Sequence, residues 1–338
     1  MTPARNRQFR LKSRPQGRIS ADHFDFCQEA PPEPGEGQAR VRVLYLSLDP
    51  TNRIWMSDMD QYMPPVAIGE VMRGGGIGVV EASRSSRYRE GDLVTGLTGW
   101  QDYCLADEGE NAMSVLPEGL PVSLPTMLGA CGMTGITAYF GLLDLGRPQA
   151  GETVVVSAAA GAVGSVVGQI AKIQGCRAVG IAGGPDKCRY LVEELGFDAA
   201  VDYKSDDWRE QLAAATPDGI DVNFENVGGE IMEAVMRRMN LFSRMPLCGM
   251  ISGYNQQEPM RGDFSPILMR RIDVRGFIVM DFLDRYAEAA AQLAQWVMEG
   301  RIKHRETIVE GLEQAPEAVN MLFDGGNVGK LVVKVSEA

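Results

Sequence analysis

Histidine is almost absent from this 338-residue chain, where only His23 and His304 occur. Zinc sites draw on His, Cys and carboxylate ligands at short spacings. Neither histidine has such a cluster beside it, so no metal is expected. A Ser-His-Asp hydrolase is equally hard to build, because no GxSxG turn exists and His304 lies in the charged run RIKHRE. Cysteine is sparse and scattered (Cys27, Cys104, Cys131, Cys176, Cys188, Cys248), with no CxxC pair. The basic opening MTPARNRQFRLKSRPQG lacks an apolar core segment, so reduced thiols in a cytoplasm are expected. No apolar run approaches the roughly 20 residues of a membrane span, and no membrane association is expected. Positive charge is also short: 33 Lys+Arg against 45 Asp+Glu gives −12. Such a chain repels a polyanionic backbone, so nucleic acid is not an expected partner. An anionic ligand must instead find a local positive site.

What is present is globular composition, 45% hydrophobic and 23% charged, at a length that predicts two domains. Up to about residue 125 the sequence reads as short strands, such as ARVRVLYLSL (39–48), GIGVVEAS (76–83) and GDLVTGLTGWQDYCLA (91–106). Gly and Pro punctuate them, which suggests a barrel-like or sandwich-like domain. The middle then changes to β-α-β-α alternation. TVVVSAA (153–159) is an unbroken β-branched run suited to a strand buried on both faces. Helical 162–174, strand-like CRAVGIAG, helical 186–195, AAVDY, GIDVNFENVG, helical 229–239 and a strand near 244–249 follow. This alternation predicts a doubly wound parallel sheet. DVRGFIVM (273–280) reads as another strand, 283–299 as a long helix, and GKLVVKVS (329–336) as a last strand able to return to the first domain.

The strand TVVVSAA runs directly into AAGAVGSVVG, placing Gly161 and Gly164 at a strand-to-helix turn of the form A-x-G-x-x-G. Gly161 lets backbone approach a pyrophosphate, and Gly164 lets the helix pack on the sheet. The free N–H groups and dipole of that helix start favour an anion. An NAD site usually carries an acid about 20 residues on, at the end of the second strand. Here that strand ends in IAGG, with Gly183 in the acid's place and Lys187 and Arg189 following. A glycine does not repel a 2′-phosphate and a lysine supplies charge-assisted hydrogen bonds, which favours NADP over NAD. Asp186 reads as an acid at a helix start.

At this point the chain resembles the medium-chain dehydrogenase/reductase superfamily, in the zinc-free branch of prostaglandin reductases (leukotriene hydroxydehydrogenases), plant double-bond reductases and curcumin-reductase-like proteins. The matching segments include NRQ (6–8), LYLSLDP (44–50), GMTGITAYFGLLD (132–144), SAAAGAVGSVVGQIAK (157–172), KCRYLVEELGFD (187–198), ENVGG (225–229), CGMISGYN (248–255) and NVGK (327–330). The resemblance implies an α/β chain: a Rossmann-type doubly wound parallel sheet over 130–305, inserted into a β-rich GroES-like catalytic domain of 1–129 plus 306–338. It implies NADP(H) as cofactor, with Gly161, Ala162, Val163 and Gly164 lining the pyrophosphate. Lys187 and Tyr203 would hold the 2′-phosphate end, with Asn226 beside the cofactor. Cys248, Gly249, Met250, Ile251, Ser252, Gly253 and Tyr254 would run along the nicotinamide ribose. Phe277, Ile278 and Val279 would meet the nicotinamide, Thr134 would touch it, and Asn327 would close the site. A cytoplasmic homodimer is expected from the family.

The zinc members of the superfamily carry a Gly-His-Glu motif, whereas the comparable stretch here, IGEVMRGGG (68–76), has no histidine. Many relatives have Tyr-Met after LS-x-DP, where this chain has Thr51-Asn52 and then Arg53-Ile54-Trp55. Asn52, Trp55, Tyr62 and Phe264 are therefore candidates for the substrate end, for which ordinary packing is the competing reading. The implied activity is that of an NADP-dependent 2-alkenal or enone reductase, with Tyr254 as the catalytic donor to the substrate oxygen. QQEPMRGDFSP (256–266) reads as a loop that covers substrate. Two alternatives stay open, quinone reduction and a non-catalytic NADPH-binding sensor.

Overall fold

The computed structural model describes residues 5–337. The chain divides into two compact units, one of residues up to 125, 307–326 and 331 onward, the other of 126–306 and 327–330.

The first unit begins with an antiparallel pair, β1 (Asn6–Leu11) and β2 (Phe24–Glu29). There follow β3 (Ala39–Leu48), α1 (Thr51–Trp55), β4 (Gly75–Ser83), β5 (Leu93–Leu97), β6 (Tyr103–Ala106) and β7 (Ser114–Val115). The unit boundary falls within α2 (Leu124–Leu128). Val41, Val43, Leu46 and Leu48 of β3 are buried, so this strand forms the centre of the unit's core with Trp100.

The second unit alternates strands and helices: α3 (Met133–Phe140), β8 (Thr153–Val156), α4 (Ala162–Ile173), β9 (Arg177–Ala182), α5 (Pro185–Arg189), β10 (Ala199–Asp202), α6 (Trp208–Ala215), β11 (Ile220–Phe224), α7 (Gly229–Met236), β12 (Met239–Leu247), α8 (Ser265–Arg270), β13 (Asp273–Gly276) and α9 (Tyr286–Met298). The six strands pair in parallel in the order β10-β9-β8-β11-β12-β13. This is the Rossmann-type sheet expected from the alternation. Its direction of winding reverses between β8 and β11, the switch point where ligands of such sheets sit. All four residues of β8 are buried, because helices cover both faces.

The chain returns through β14 (Glu306–Glu310), α10 (Ala315–Ala318), α11 (Met321–Asp324) and β15 (Lys330–Lys334). β15 pairs antiparallel with β3, Leu331 opposite Leu48, in a seven-stranded sheet. Residues 327–330 cluster with the second unit, where the sequence boundaries had put all of 306–338 with the first. The cause is local hydrogen bonding: Gly329 N–H donates to Ala160 O at 2.8 Å and Lys330 N–H to Arg305 O at 2.9 Å.

Two elements differ from the sequence pattern. The apolar run 273–280 is a strand only as far as Gly276, and 3-10 turns begin at Val279. The helix read from residue 283 starts at Tyr286 instead, after non-helical backbone at Phe282. Phe282 stacks on Phe140 at 4.6 Å and meets Phe277 edge-on at 6.4 Å. Packing of this aromatic cluster outweighs the local helical preference.

Candidate cofactor site

The turn after β8 is built from small residues for two different reasons. A Cβ on Gly164 would lie 2.5 Å from Ala158 O and 2.8 Å from Ala159 Cα, so only glycine lets α4 close on the strand. A Cβ on Gly161 would meet only Ala158 O, at 3.2 Å, which leaves open space beside the helix start. Ala158 itself adopts φ +49, a left-handed conformation uncommon outside glycine. Gly161 caps α4, and the first-turn N–H groups of Ala162, Val163 and Gly164 have no intrahelical partner. These three donors and a twelve-residue dipole suit this end to an anion.

A second positive feature lies at the ends of β9 and β10. A Cβ on Gly183 would come within 2.9 Å of the Tyr203 ring and hydroxyl and 3.0 Å of Lys204 Cε, so the three residues converge. Lys187 is half-buried, and burial followed by the charge of Lys204 holds its ammonium below the usual lysine range. The two ammonium groups are thus close enough to repel each other, which an anion would relieve. Lys204 escaped the sequence reading, although it directly follows Tyr203 in DYK. Asp202 is spent on the turn, accepting N–H bonds from Gly184 at 2.7 Å and Lys204 at 3.0 Å. Asp186 pairs with Arg189 on its own helix.

The loops after β11 and β12 are joined. Asn226 N–H donates to Ser157 Oγ, and its Nδ2 to Ser157 O, each at 2.8 Å. Ile251 N–H donates to Asn226 O, while the N–H and hydroxyl of Ser252 both reach Val227 O. Tyr254 folds back so that its hydroxyl accepts Met250 N–H at 3.1 Å, and a Cβ on Gly249 would lie 3.2 Å from that oxygen. Gly253 stands at the half-buried end of a 3-10 turn between them. Burial, and then the neighbouring Glu225, push the Cys248 thiol up to about 12, which disfavours the thiolate.

Around this group the remaining candidates divide. Phe277 is buried in the aromatic cluster, 6.2 Å from Phe224, so its backbone and not its ring is available to a ligand. Gly141 makes room for both rings, since its Cβ would lie 2.4 Å from Phe277 and 2.7 Å from Phe224. Ile278 N–H is held by Asp281, and Val279 opens the following turn. Thr134 is buried and its hydroxyl donates to Gly129 O. Asn327 Nδ2 donates to Gly329 O at 3.0 Å, in a segment bonded to the nucleotide turn through Ala160.

In the first unit, Asn52 is 1% exposed and both ends of its amide are committed: Oδ1 accepts Asp49 N–H at 2.8 Å and Nδ2 donates to Arg73 O. It builds the turn after β3, and its side chain serves that turn and not a substrate end. Trp55 is also buried, with the Arg73 guanidinium 5.4 Å from its ring centroid. Tyr62 hydrogen-bonds Thr51 through paired hydroxyls, and burial foremost holds its phenol above the usual range. It lines an open cleft of about 470 Å³ formed by residues 58–65. Phe264, in the second unit, is exposed. Among the described residues no three of His, Cys, Asp and Glu gather as a metal site requires.

Two family models match: residues 7–115 the N-terminal domain of oxidoreductase, and residues 162–296 a zinc-binding dehydrogenase. The chain is 46% identical to an NADPH-dependent curcumin reductase of Escherichia coli, over 98% of this chain and 97% of the relative. It is 40% identical to an NADP(+)-dependent 2-alkenal reductase of Nicotiana tabacum, over 89% and 88%. A crystal structure of CurA from Vibrio vulnificus in complex with NADPH superimposes with a TM-score of 0.93 at 46% identity, covering 98% of this chain and all of that one.

Proposed function

The chain belongs to the zinc-independent branch of the medium-chain dehydrogenase/reductase superfamily, and on that premise we propose that it reduces the carbon–carbon double bond of enals and enones with NADPH. The observation that carries the cofactor is the convergence of Lys204 and Tyr203 on Gly183, a place where a ribose-binding acid would otherwise stand, with Lys187 near enough to feel the charge of Lys204. The open start of α4 at Gly161, Ala162, Val163 and Gly164 fits a pyrophosphate by the chemistry of its donors. Asn226, the segment Cys248–Tyr254, the backbone of Phe277–Val279, Thr134 and Asn327 are assigned to the nicotinamide half.

When bound, the cofactor supplies a hydride to the β-carbon of the conjugated system. Charge then develops on the carbonyl oxygen, and a positioned donor lowers that barrier. We assign this donor to Tyr254, whose phenol is located by the Met250 N–H it accepts. The α-carbon takes its proton from this tyrosine or from water. Trp55 and Tyr62, both of the first unit, are assigned to shaping an apolar substrate end.

The test is NADPH consumption against enals, enones and quinones in parallel, with NADH alongside. Saturating enone turnover that prefers NADPH supports the reading. Selective quinone turnover replaces the chemistry and keeps the cofactor, and binding without turnover makes the protein a sensor. Tyr254→Phe is expected to lower kcat/KM for an enone by about 100-fold, the scale of a lost oxyanion donor, with NADPH binding nearly intact. Unchanged turnover removes its catalytic role.

We also infer a homodimer along the outer strand β13. Leu241, Phe242, Leu268 and Met269 beside it are each more than half exposed, and Arg271 lies over Phe242 at 5.0 Å. A monomeric mass by light scattering at micromolar concentration would overturn this. The six cysteines are free thiols, in keeping with a cytoplasmic setting.

A further inference from the structure

Glu225 follows β11 directly at the switch point, and its side chain is 0% exposed. Its Oε1 accepts Ser157 Oγ–H at 2.9 Å, Val227 N–H at 2.7 Å and Gly228 N–H at 2.8 Å. Its Oε2 accepts Asn223 Nδ2 at 2.9 Å. The main chain of the same residue donates to Pro246 O and accepts from Cys248 N–H and Gly249 N–H. One residue therefore ties the end of β8, the loop of residues 226–229 and the loop that begins at Cys248.

The direction of the Ser157 hydroxyl follows from these bonds. It donates to Glu225, so its oxygen is left to accept Asn226 N–H. Asn226 Nδ2 is in turn held by Ser157 O. An amide whose nitrogen is anchored in this way presents its oxygen away from the anchor. We propose that Glu225 is a positioning residue which, through Ser157, sets the orientation of the Asn226 carboxamide and the register of the two loops assigned to the nicotinamide half. This inference rests on the cofactor reading above.

The test compares full-length wild type with Ser157→Ala, Glu225→Met and Glu225→Gln. Two ligands separate the ends of the cofactor: 2′,5′-ADP reports only the adenosine end, and NADPH reports both. Glu225→Met keeps the length and removes every acceptor. Glu225→Gln keeps one acceptor oxygen for the three donors and turns an NH2 toward Asn223. The Asn223 Oδ1 is buried without a partner among the described residues, so a rotated Asn223 amide can accept that NH2. Glutamine is therefore expected to rescue.

Expected results are a loss in kcat with a 2-alkenal of about 10-fold or more for Glu225→Met and about 5-fold for Ser157→Ala. Glu225→Gln should stay within about 3-fold of wild type. NADPH affinity should fall several-fold in the first two variants, while 2′,5′-ADP affinity stays unchanged in all three. Equal losses for both ligands would mean general damage to the fold and overturn the proposal. So would Ser157→Ala within 2-fold of wild type in kcat and NADPH affinity, an outcome that decides the matter even where Glu225→Met does not fold. Lys187→Ala run alongside separates the failures. If it leaves NADPH binding intact, the cofactor reading fails; if it weakens NADPH while the Ser157 and Glu225 variants do not, only this inference fails.

Discussion

Two helices start at the same edge of the parallel sheet, α4 after β8 and α7 after β11, and their N-termini are used in opposite ways. The start of α4 is open, with room beside Gly161 and first-turn donors that no intrahelical carbonyl satisfies. The start of α7 is closed from within: Glu225 takes the N–H groups of Val227 and Gly228, and Met260 Sδ takes that of Gly229 at 3.1 Å. Both ends carry the same dipole. An internal carboxylate neutralises one, and the other is left open to an anion. The difference shows that a helix start is available to a ligand only where the chain has not already filled it.

The largest effect expected from breaking this contrast is at the packing glycine. Gly164→Ala forces a Cβ to 2.5 Å from Ala158 O, and a loss of about 3 kcal/mol in urea unfolding is expected, the upper range for overpacking. Gly161→Ala, three residues earlier, should cost under about 1 kcal/mol and weaken NADPH instead, which separates packing from binding on one turn. Equal destabilisation by both would erase the distinction.

Next in size is the second positive feature that serves the open side. Lys187→Ala should weaken NADPH binding by about 1.5–3 kcal/mol, on the order of 10- to 150-fold, with NADH unaffected. The pH dependence follows from the lowered Lys187 value. Binding a phosphate needs the ammonium, so affinity should fall as pH rises through a point below the ordinary lysine titration. Removing the neighbouring charge in Lys204→Ala should move that fall to higher pH. Titrations of NADPH fluorescence against pH check both directions.

At the closed end, Gly228 has φ +76 and ψ −165, a region essentially reserved for glycine, and its Cβ would lie 2.7 Å from Met260 Sδ. Gly228→Ala should cost about 2 kcal/mol and loosen the loop that carries Met260, seen as faster proteolysis near residue 260. The smallest effect is a gain. Ala158 holds φ +49 as a non-glycine, and Ala158→Gly should raise stability by about 0.5–1 kcal/mol in thermal unfolding without changing NADPH affinity.

The open site was far more legible in the sequence than the closed one. TVVV followed by A-x-G-x-x-G announces a buried strand, a tight turn and a helix from local chemistry, and all three lie where that pattern puts them. Lys187 was visible as the basic residue after a strand that ends without an acid. Lys204 was not, because β10 must lie beside β9 before residues 187 and 204 can face each other. Glu225 read as one more polar residue in ENVGG; its burial depends on β8 and β12 closing around β11. Asn52 misled for a related reason. It stands out in the sequence as a departure from the Tyr-Met of many relatives, and only the fold around Asp49 and Arg73 consumes its amide.

The sequence alone thus determined the alternation that makes the parallel sheet, the nucleotide turn and its basic neighbour, because each depends on periodicity or on residues within a turn of one another. The tertiary structure decided which helix start stays open, which lysine pairs with which, and which polar side chains are spent inside. Those outcomes depend on contacts between segments distant in the chain, where hydrogen-bond partners and buried volume are set by the packing of the whole unit and not by any local pattern.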